Sequence, residues 1–326
     1  MSHALFLDAN VFLSFYAFGK DDLEEMAKVV KLIGDEEITL HTNTHLESEI
    51  RRNREGKIGE AFSSIKSLSF SREYPHYFND YPELGQIRTK LKEVSLLHSK
   101  LVDQARKDIE SRSLRADHLI EGLLKLGTRD DVSNLEVEAA LRRCDLGEPP
   151  GKKGSIGDAI HWLSLLKKPV HAISIVSLDS DFSNPLDPLK INPFLGDEWK
   201  RVKKFGQPHL YRSLSDYFKA QFPKITLSDE FEKDELVKKL VQSANFSETH
   251  QIIERLTPFS SFTKAQVRGL FNALLQNTQV GWIATDPDVK DFYLTLRGQA
   301  VHLDGRELRA ASELLEVHED YFDIPF

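Results

Sequence analysis

Cysteine is almost missing from this sequence. A single residue, Cys144, among 326 excludes an internal disulfide framework and fits a reducing compartment. Long apolar runs are missing too. No stretch approaches the roughly 20 residues that span a bilayer, and no basic-then-apolar leader precedes the first strand pattern. That pattern begins at residue 4 and leaves no room for a cleaved signal, so a cytoplasmic location without a membrane partner is expected. Positive charge is not in excess either. With 43 Lys and Arg against 51 Asp and Glu, the formal net charge is -8, which excludes coating nucleic acid by bulk charge. Local basic clusters remain compatible with it, and a carboxylate-rich metal site would itself make the balance negative. There is no internal repeat and no low-complexity segment. What remains, 40% hydrophobic and 29% charged, is the composition of a globular chain, and its length suffices for one large domain or two ordinary ones.

The run Ala4-Leu5-Phe6-Leu7 reads as a strand buried on both faces, as inside a parallel sheet. Asp8-Ala9-Asn10 follows directly. An acid there stands at the carboxyl edge of a sheet, where α/β folds bind ligands, although capping the next helix would also explain Asp8. A helix is expected over residues 20–35 and a strand at Ile38–His41. Thr42 or Asn43 then caps a helix running through Leu46 and Ile50 towards Leu68. Residues 71–82 are aromatic and carry Pro75 and Pro82, the mark of a loop. One long helical pattern covers Leu84 to Leu126, and another Asn134 to Arg143. Gly147 to Gly154 is a flexible basic loop. Ser155-Ile156-Gly157-Asp158 opens an apolar helix ended by Pro169, and His171–Val176 is a second buried-type strand followed by Ser177-Leu178-Asp179-Ser180-Asp181. A short strand at His209–Tyr211 and a helix at Leu214–Phe222 come next. Pro223 breaks the chain, and residues 224–326 read as helical throughout. The order predicts an α/β fold with a mainly parallel sheet flanked by helices.

Asp8, Glu49, Asp158 and Asp179, with Asp181 beside the last, all fall at the carboxyl edge of that sheet or at a helix facing it. Each has an ordinary alternative: a helix acid, a first-turn acid favoured by the dipole, or a turn former. Gathered together they would repel, and a cation resolves that conflict. Oxygen donors without a Cys or His cluster point to Mg²⁺ or Mn²⁺ rather than Zn²⁺. Such ions serve phosphodiester hydrolysis by activating water and stabilising the departing oxygen.

Four short motifs carry a family resemblance: Leu7-Asp8-Ala9-Asn10, Glu49 with Arg52-Asn53-Arg54, Gly157-Asp158-Ala159-Ile160-His161-Trp162, and Ser177-Leu178-Asp179-Ser180-Asp181-Phe182. In this order they resemble a PIN-domain nuclease of the bacterial PIN-like type with a helical insertion and a C-terminal extension. The resemblance implies a PIN-like nuclease domain over residues 1–223, with the insertion at about 71–148, and a C-terminal helical domain over 224–326. It implies that Asp8, Glu49, Asp158 and Asp179 hold the metal with Asp181 contributing. Asn10 and Ser177 would orient the cluster, Ser177 keeping the hydroxyl of a position that is often Thr. Glu47 competes with Glu49 for the second acidic place. Apart from the resemblance, Arg51, Arg52, Arg54, Lys57, Lys152 and Lys153 are the cations placed to hold phosphates beside the acids, with Arg52, Arg54, Lys152 and Lys153 the expected contacts, whereas His161 and Trp162 read as packing. The expected activity is Mg²⁺- or Mn²⁺-dependent nuclease action on nucleic acid, with RNA favoured.

Three other functions compete: a DNA or structure-specific nuclease, a haloacid-dehalogenase-type phosphatase, and a non-catalytic PIN-like module that binds RNA or protein. The phosphatase would need a second Asp where Asn10 stands. The complete set of acids argues against a binding module. The C-terminal hundred residues contain no second acidic constellation. Asp229, Glu230, Glu232, Asp234 and Glu235 read as a solvated charge run, and a protein partner or self-association is expected of this region.

Overall fold

A computed structural model describes residues 2–17, 23–151 and 155–322. The chain opens with β1 (His3–Leu7), α1 (Ala9–Ser14), α2 (Leu23–Gly34), β2 (Ile38–Asn43) and α3 (Thr44–Lys66). A 3-10 turn at His76–Asp80 leads into α4 (Pro82–Glu110), α5 (Arg115–Leu126), β3 (Thr128–Asp130) and α6 (Asn134–Asp145). Then come α7 (Gly157–Lys167), β4 (Ile173–Val176), β5 (Ser183–Asn184), β6 (Asp187–Ile191), α8 (Pro193–Lys203), β7 (Pro208–Tyr211) and α9 (Leu214–Gln221). The remainder is helical: α10 (Leu227–Gln242), α11 (Phe246–Leu256), α12 (Lys264–Gln276), α13 (Thr278–Gly281), α14 (Pro287–Thr295) and α15 (Gly305–Leu314).

The strands form a five-stranded parallel sheet in the order β3-β2-β1-β4-β7. Its central strand is the run that the sequence marks: Leu5, Phe6 and Leu7 are completely buried. The chain leaves β1 towards β2 and β3, then returns on the other side to β4 and β7. A crevice therefore opens between the carboxyl ends of β1 and β4, the place where open α/β sheets bind ligands. Asp8 N–H donates to the Val176 carbonyl (3.0 Å) and Ser177 N–H to that of Tyr211 (3.1 Å), so the ends of β1, β4 and β7 are held side by side.

By their contacts, residues fall into two compact units. One comprises Phe6–Leu23 and His41–Ser213, the other Met1–Leu5, Glu24–Leu40 and Leu214–Phe326. In the first, α3 buries Leu46, Ile50, Arg54 and Ile58, a stripe at four-residue spacing, while Trp162 of α7 packs on Trp199 of α8 with ring centres 5.7 Å apart. In the second, α10 to α15 enclose an apolar core that includes Leu240, Ile253, Leu270, Phe271 and Tyr293. Within that unit Lys31 of α2 pairs with Asp234 (3.1 Å), and Lys264 with Glu37 (3.5 Å).

Several elements go beyond the sequence pattern. The helical run over 84–126 is two helices. Ser113 N–H reaches the Asp108 carbonyl (2.9 Å) and Arg112 N–H that of Ile109 (3.2 Å), with Arg112 left-handed at φ 55°. This is the helix stop that glycine ordinarily announces; here an arginine makes it. The short β3, the antiparallel pair β5–β6 and α8 also appear, the first two being too brief to show a periodic pattern. Glu230, expected on a solvated face, is buried against Lys233 (2.5 Å) and accepts from Gln266 Nε2 (2.9 Å). An i,i+3 spacing with the lysine allows a buried pair, which counting charges along the chain does not reveal.

Arg54 is the other buried charge of note. Its Nε and Nη2 donate to the two oxygens of Asp117, both at 2.7 Å, and Tyr16 Oη donates to Asp117 Oδ1 at 2.6 Å. One acid thus ties α3, α5 and the chain after α1 together. Removing it leaves the enclosed guanidinium with the exposed Glu55 (2.6 Å) and the Ile109 carbonyl (3.2 Å), too little compensation for a buried charge. Asp117→Ala should destabilise the protein by about 3–5 kcal/mol in urea unfolding, and a loss below about 1 kcal/mol, the value of an exposed pair, would show that the arginine escapes to solvent.

Candidate metal centre

Asp8 stands at the end of β1 and caps α1. Its Oδ1 accepts from Ala9 N (2.7 Å), and its Oδ2 accepts from Asn10 Nδ2 (2.8 Å) and Ser177 Oγ (2.6 Å). Burial raises its pKa; His161 and the Ser177 hydroxyl work against that, and the Glu49 charge adds to it. Asn10 and Ser177 each do a second task. Asn10 Oδ1 accepts from Leu178 N (3.2 Å), and Ser177 Oγ accepts from Asp179 N (3.0 Å). The loop after β4 is thereby fastened to the end of β1, and Asp179 Oδ1 then accepts from Asp181 N (3.0 Å), a turn that sets the two acids side by side.

Asp158 comes from the opposite direction, in the first turn of α7, where the helix dipole favours an acid. One oxygen from each of Asp158, Asp179 and Asp181 lies within 4.8 Å of the others. Burial, together with the charges of Asp8, Asp179, Asp181 and Glu49, pushes the Asp158 pKa up to about 8. Asp8 and Glu49 therefore belong to the same electrostatic cluster as the close three. Oxygen donors of this kind suit a hard divalent cation, and positive charge among them would remove the repulsion that Asp158 registers.

Glu49 projects from the second turn of α3. His161 Nε2 lies 3.2 Å from Glu49 Oε2, and His161 Nδ1 3.2 Å from Asn43 Nδ2. Asn43 caps α3 with its Oδ1, which accepts from Leu46 N (2.8 Å). Its amide nitrogen therefore faces the imidazole as a donor, and the network assigns the ring proton to Nε2, aimed at Glu49. This bond is the main cause of the lowered Glu49 pKa, with His45 and Arg52 adding to it and burial opposing it. A Cβ on Gly157 would come within 3.2 Å of Glu49 Oε2, so glycine lets the start of α7 approach the acid. Glu47 points elsewhere, towards Arg129 (3.5 Å) and Arg51 (3.9 Å).

Of the residues expected at phosphates, Arg52 is exposed on α3 near Glu49. Arg54 is instead enclosed in its pair with Asp117, because it falls on the buried stripe of α3. Lys152 and Lys153 lie outside the described residues. Two participants carry little or no sequence signal. His161 is fully buried against Phe6, as packing would have it, and also hydrogen-bonds Glu49, which only its place three residues after Asp158 hints at. Arg212, just past β7, donates to the carbonyls of Asp179 (2.7 Å) and Leu178 (2.6 Å); a lone arginine after a strand gives no sequence signal.

The model of the PIN domain matches residues 5–182. The chain belongs to the PIN-domain family. No curated protein and no solved structure gives a match. PIN domains are generally nucleases that use divalent metal ions, and the match spans Asp8, Glu49, Asp158, Asp179 and Asp181 alike. Among the described residues no helix is long and apolar enough to cross a membrane.

Two outcomes follow from Asp158. Its folded pKa lies above that of the unfolded chain, so the native state binds the extra proton between about pH 4 and pH 8. In EDTA, stability should fall as pH rises across that window, and Asp158→Asn should flatten the decline in urea unfolding at stepped pH. Saturating Mg²⁺ or Mn²⁺ should raise the melting temperature, by about 2.7 kcal/mol in stability at a hundred times the dissociation constant, and Asp158→Asn should remove most of the gain. A melting curve indifferent to millimolar divalent ions would count against the cluster as a metal centre.

Proposed function

We propose that this PIN-domain protein is an endoribonuclease that hydrolyses internal phosphodiester bonds with Mg²⁺ or Mn²⁺. The observation that carries the reading is the gathering of Asp158, Asp179 and Asp181 within 4.8 Å of one another, in one electrostatic cluster with Asp8 and Glu49. In this reading these five carboxylates hold the metal. Ser177 and Asn10 orient Asp8, and His161 orients Glu49. Arg52 meets a substrate phosphate. A divalent ion, when bound, lowers the pKa of water and neutralises charge developing on the phosphate. The carboxylates provide fixed oxygen donors, and the hydrogen bonds behind them keep those donors from turning away before substrate arrives. RNA is the substrate favoured by the resemblance between these motifs and those of PIN nucleases.

A division of labour accompanies this proposal. Residues 1–223 would carry the chemistry, and the helical region 224–326 would direct it through a protein partner or self-association. The protein would work in the cytoplasm.

Matched single- and double-stranded RNA and DNA, incubated with Mn²⁺, test the activity. RNA should be cut internally to leave 5′-phosphate and 3′-hydroxyl ends, and Asp8→Asn and Asp179→Asn should abolish cutting while melting cooperatively. Ends bearing 2′,3′-cyclic phosphate would overturn the mechanism, since those need the 2′-hydroxyl as nucleophile. Faster cleavage of DNA would move the assignment to a DNA nuclease. Ser177→Ala, which removes one support of Asp8, should lower activity or metal affinity by about 10–100-fold, measured by metal titration of the cleavage rate.

A further inference from the structure

A cavity of about 460 Å³ lies between α3 and α5. Its floor is apolar, formed by Ile50, Ile120 and Leu124, and its walls carry Arg51, Arg54, Arg112, Lys125 and Arg129. Three acids share the cavity and leave the cations in excess. Asp117 is matched by Arg54 (2.7 Å). Glu47 is shared by Arg51 (3.9 Å) and Arg129 (3.5 Å), and Arg129 also meets the exposed Asp131 (3.4 Å); the two arginine side chains remain more than half exposed, at 70% and 52%. Arg112 has no acidic partner among the described residues, and it is the arginine that takes the left-handed conformation at φ 55°. Such a backbone is unfavourable for a non-glycine residue, whose Cβ crowds the following carbonyl oxygen. Here it stands where glycine would end the helix without that cost but would bring no charge.

The cavity and Glu49 lie on different faces of α3. Successive residues on a helix turn by about 100°, so Glu47, Ile50, Arg51 and Arg54 share one face, whereas Glu49, Asn53 and Gly56 share the opposite one. A smaller hollow of about 360 Å³ fills the angle between them. It is lined by Thr44, Ser48 and Arg52 together with Glu47, Arg51 and Arg129 of the cavity. In angular order Arg51, Ser48 and Arg52 lead from the cavity to Glu49, whose carboxylate feels the charge of Arg52. Cations and hydroxyls thus follow the curve of one helix, about 10–12 Å across with its side chains, in a protein that is acidic overall.

We propose that this path holds the backbone of the substrate strand, with a phosphate seated among Arg51, Arg112 and Arg129 while the scissile bond lies at the acids. The proposal rests on the nuclease reading and adds to it a second hold on the substrate. The occupant is a single strand, because a duplex with a persistence length of about 150 base pairs cannot follow a path that bends around one helix. The cavity thereby favours strands long enough to reach across α3.

The test uses the whole protein and labelled single strands of four and twelve nucleotides, with binding read by anisotropy in EDTA and cleavage read in Mn²⁺. The wild type should bind and cut the longer strand better, with a lower KM. In Arg112→Ala/Arg129→Ala the advantage of length should shrink by about tenfold or more through KM rather than kcat. The salt dependence of binding should also flatten, by about 0.7 in log–log slope for each phosphate that the variant no longer neutralises. Lys125→Glu, an exposed charge reversal whose partner among the described residues is Glu121, gives the same reading should the double variant melt early. An unchanged length advantage and salt slope would overturn the proposal. So would 5′-AMP binding as tightly as the twelve-mer with the same dependence on Arg112, since the cavity would then take a free nucleotide. A wild type that binds the longer strand through these arginines but cuts nothing would overturn the nuclease reading and leave the path standing.

Discussion

Negative charge crowded at one edge of a parallel sheet is the constraint on which the rest of this structure depends. Parallel strands deliver every carboxyl end to the same side, and the reversal of strand order between β1 and β4 opens a crevice there. Asp8, Asp179 and Asp181 enter it from strand ends, Glu49 and Asp158 from helices that face it. Left to themselves, such groups would protonate or move apart. The protein divides the load instead. Asp8 is surrounded by three donors and Glu49 is braced by an imidazole, while Asp158 has no such support among the described residues and its pKa is pushed up to about 8. Burial and mutual repulsion raise the pKa of Asp8 and Asp158 alike, and a cation among the acids would relieve both.

The surroundings answer that constraint by making every support serve twice. Asn10 holds both Asp8 and the loop at Leu178. Ser177 donates to one acid and accepts from the backbone of another, and Arg212 clasps the same loop from the next strand. Polar networks of this kind are fully satisfied or they are costly. Because they share members, the loop carrying Asp179 and Asp181 cannot shift without loosening Asp8.

The parts of this arrangement that the sequence displays are those with a local signature. An unbroken apolar strand ending in Asp8, the Gly157-Asp158 start of a helix and the Ser177-to-Asp181 turn each declare themselves within a few residues. The alternation of strands and helices then places them at one edge. What stays hidden is what depends on distant partners. Arg54 reads like Arg51 and Arg52 in the sequence, yet it falls on the buried stripe of α3 and meets Asp117, 63 residues away. Arg212 acts through backbone carbonyls and leaves no motif. The break between α4 and α5 is silent because an arginine takes the place of the usual glycine, and β3 spans only three residues.

The double role of Asn43 has a consequence in time rather than in space. A side-chain amide has two unlike ends, and the start of α3 claims the oxygen as soon as that helix forms. The nitrogen is then turned towards His161, which decides where the imidazole keeps its hydrogen and so which way it braces Glu49. The orientation of an acid in the crevice is thus inherited from the folding of a helix end. No ligand has to arrive to select it, and no rearrangement has to be waited for when one does.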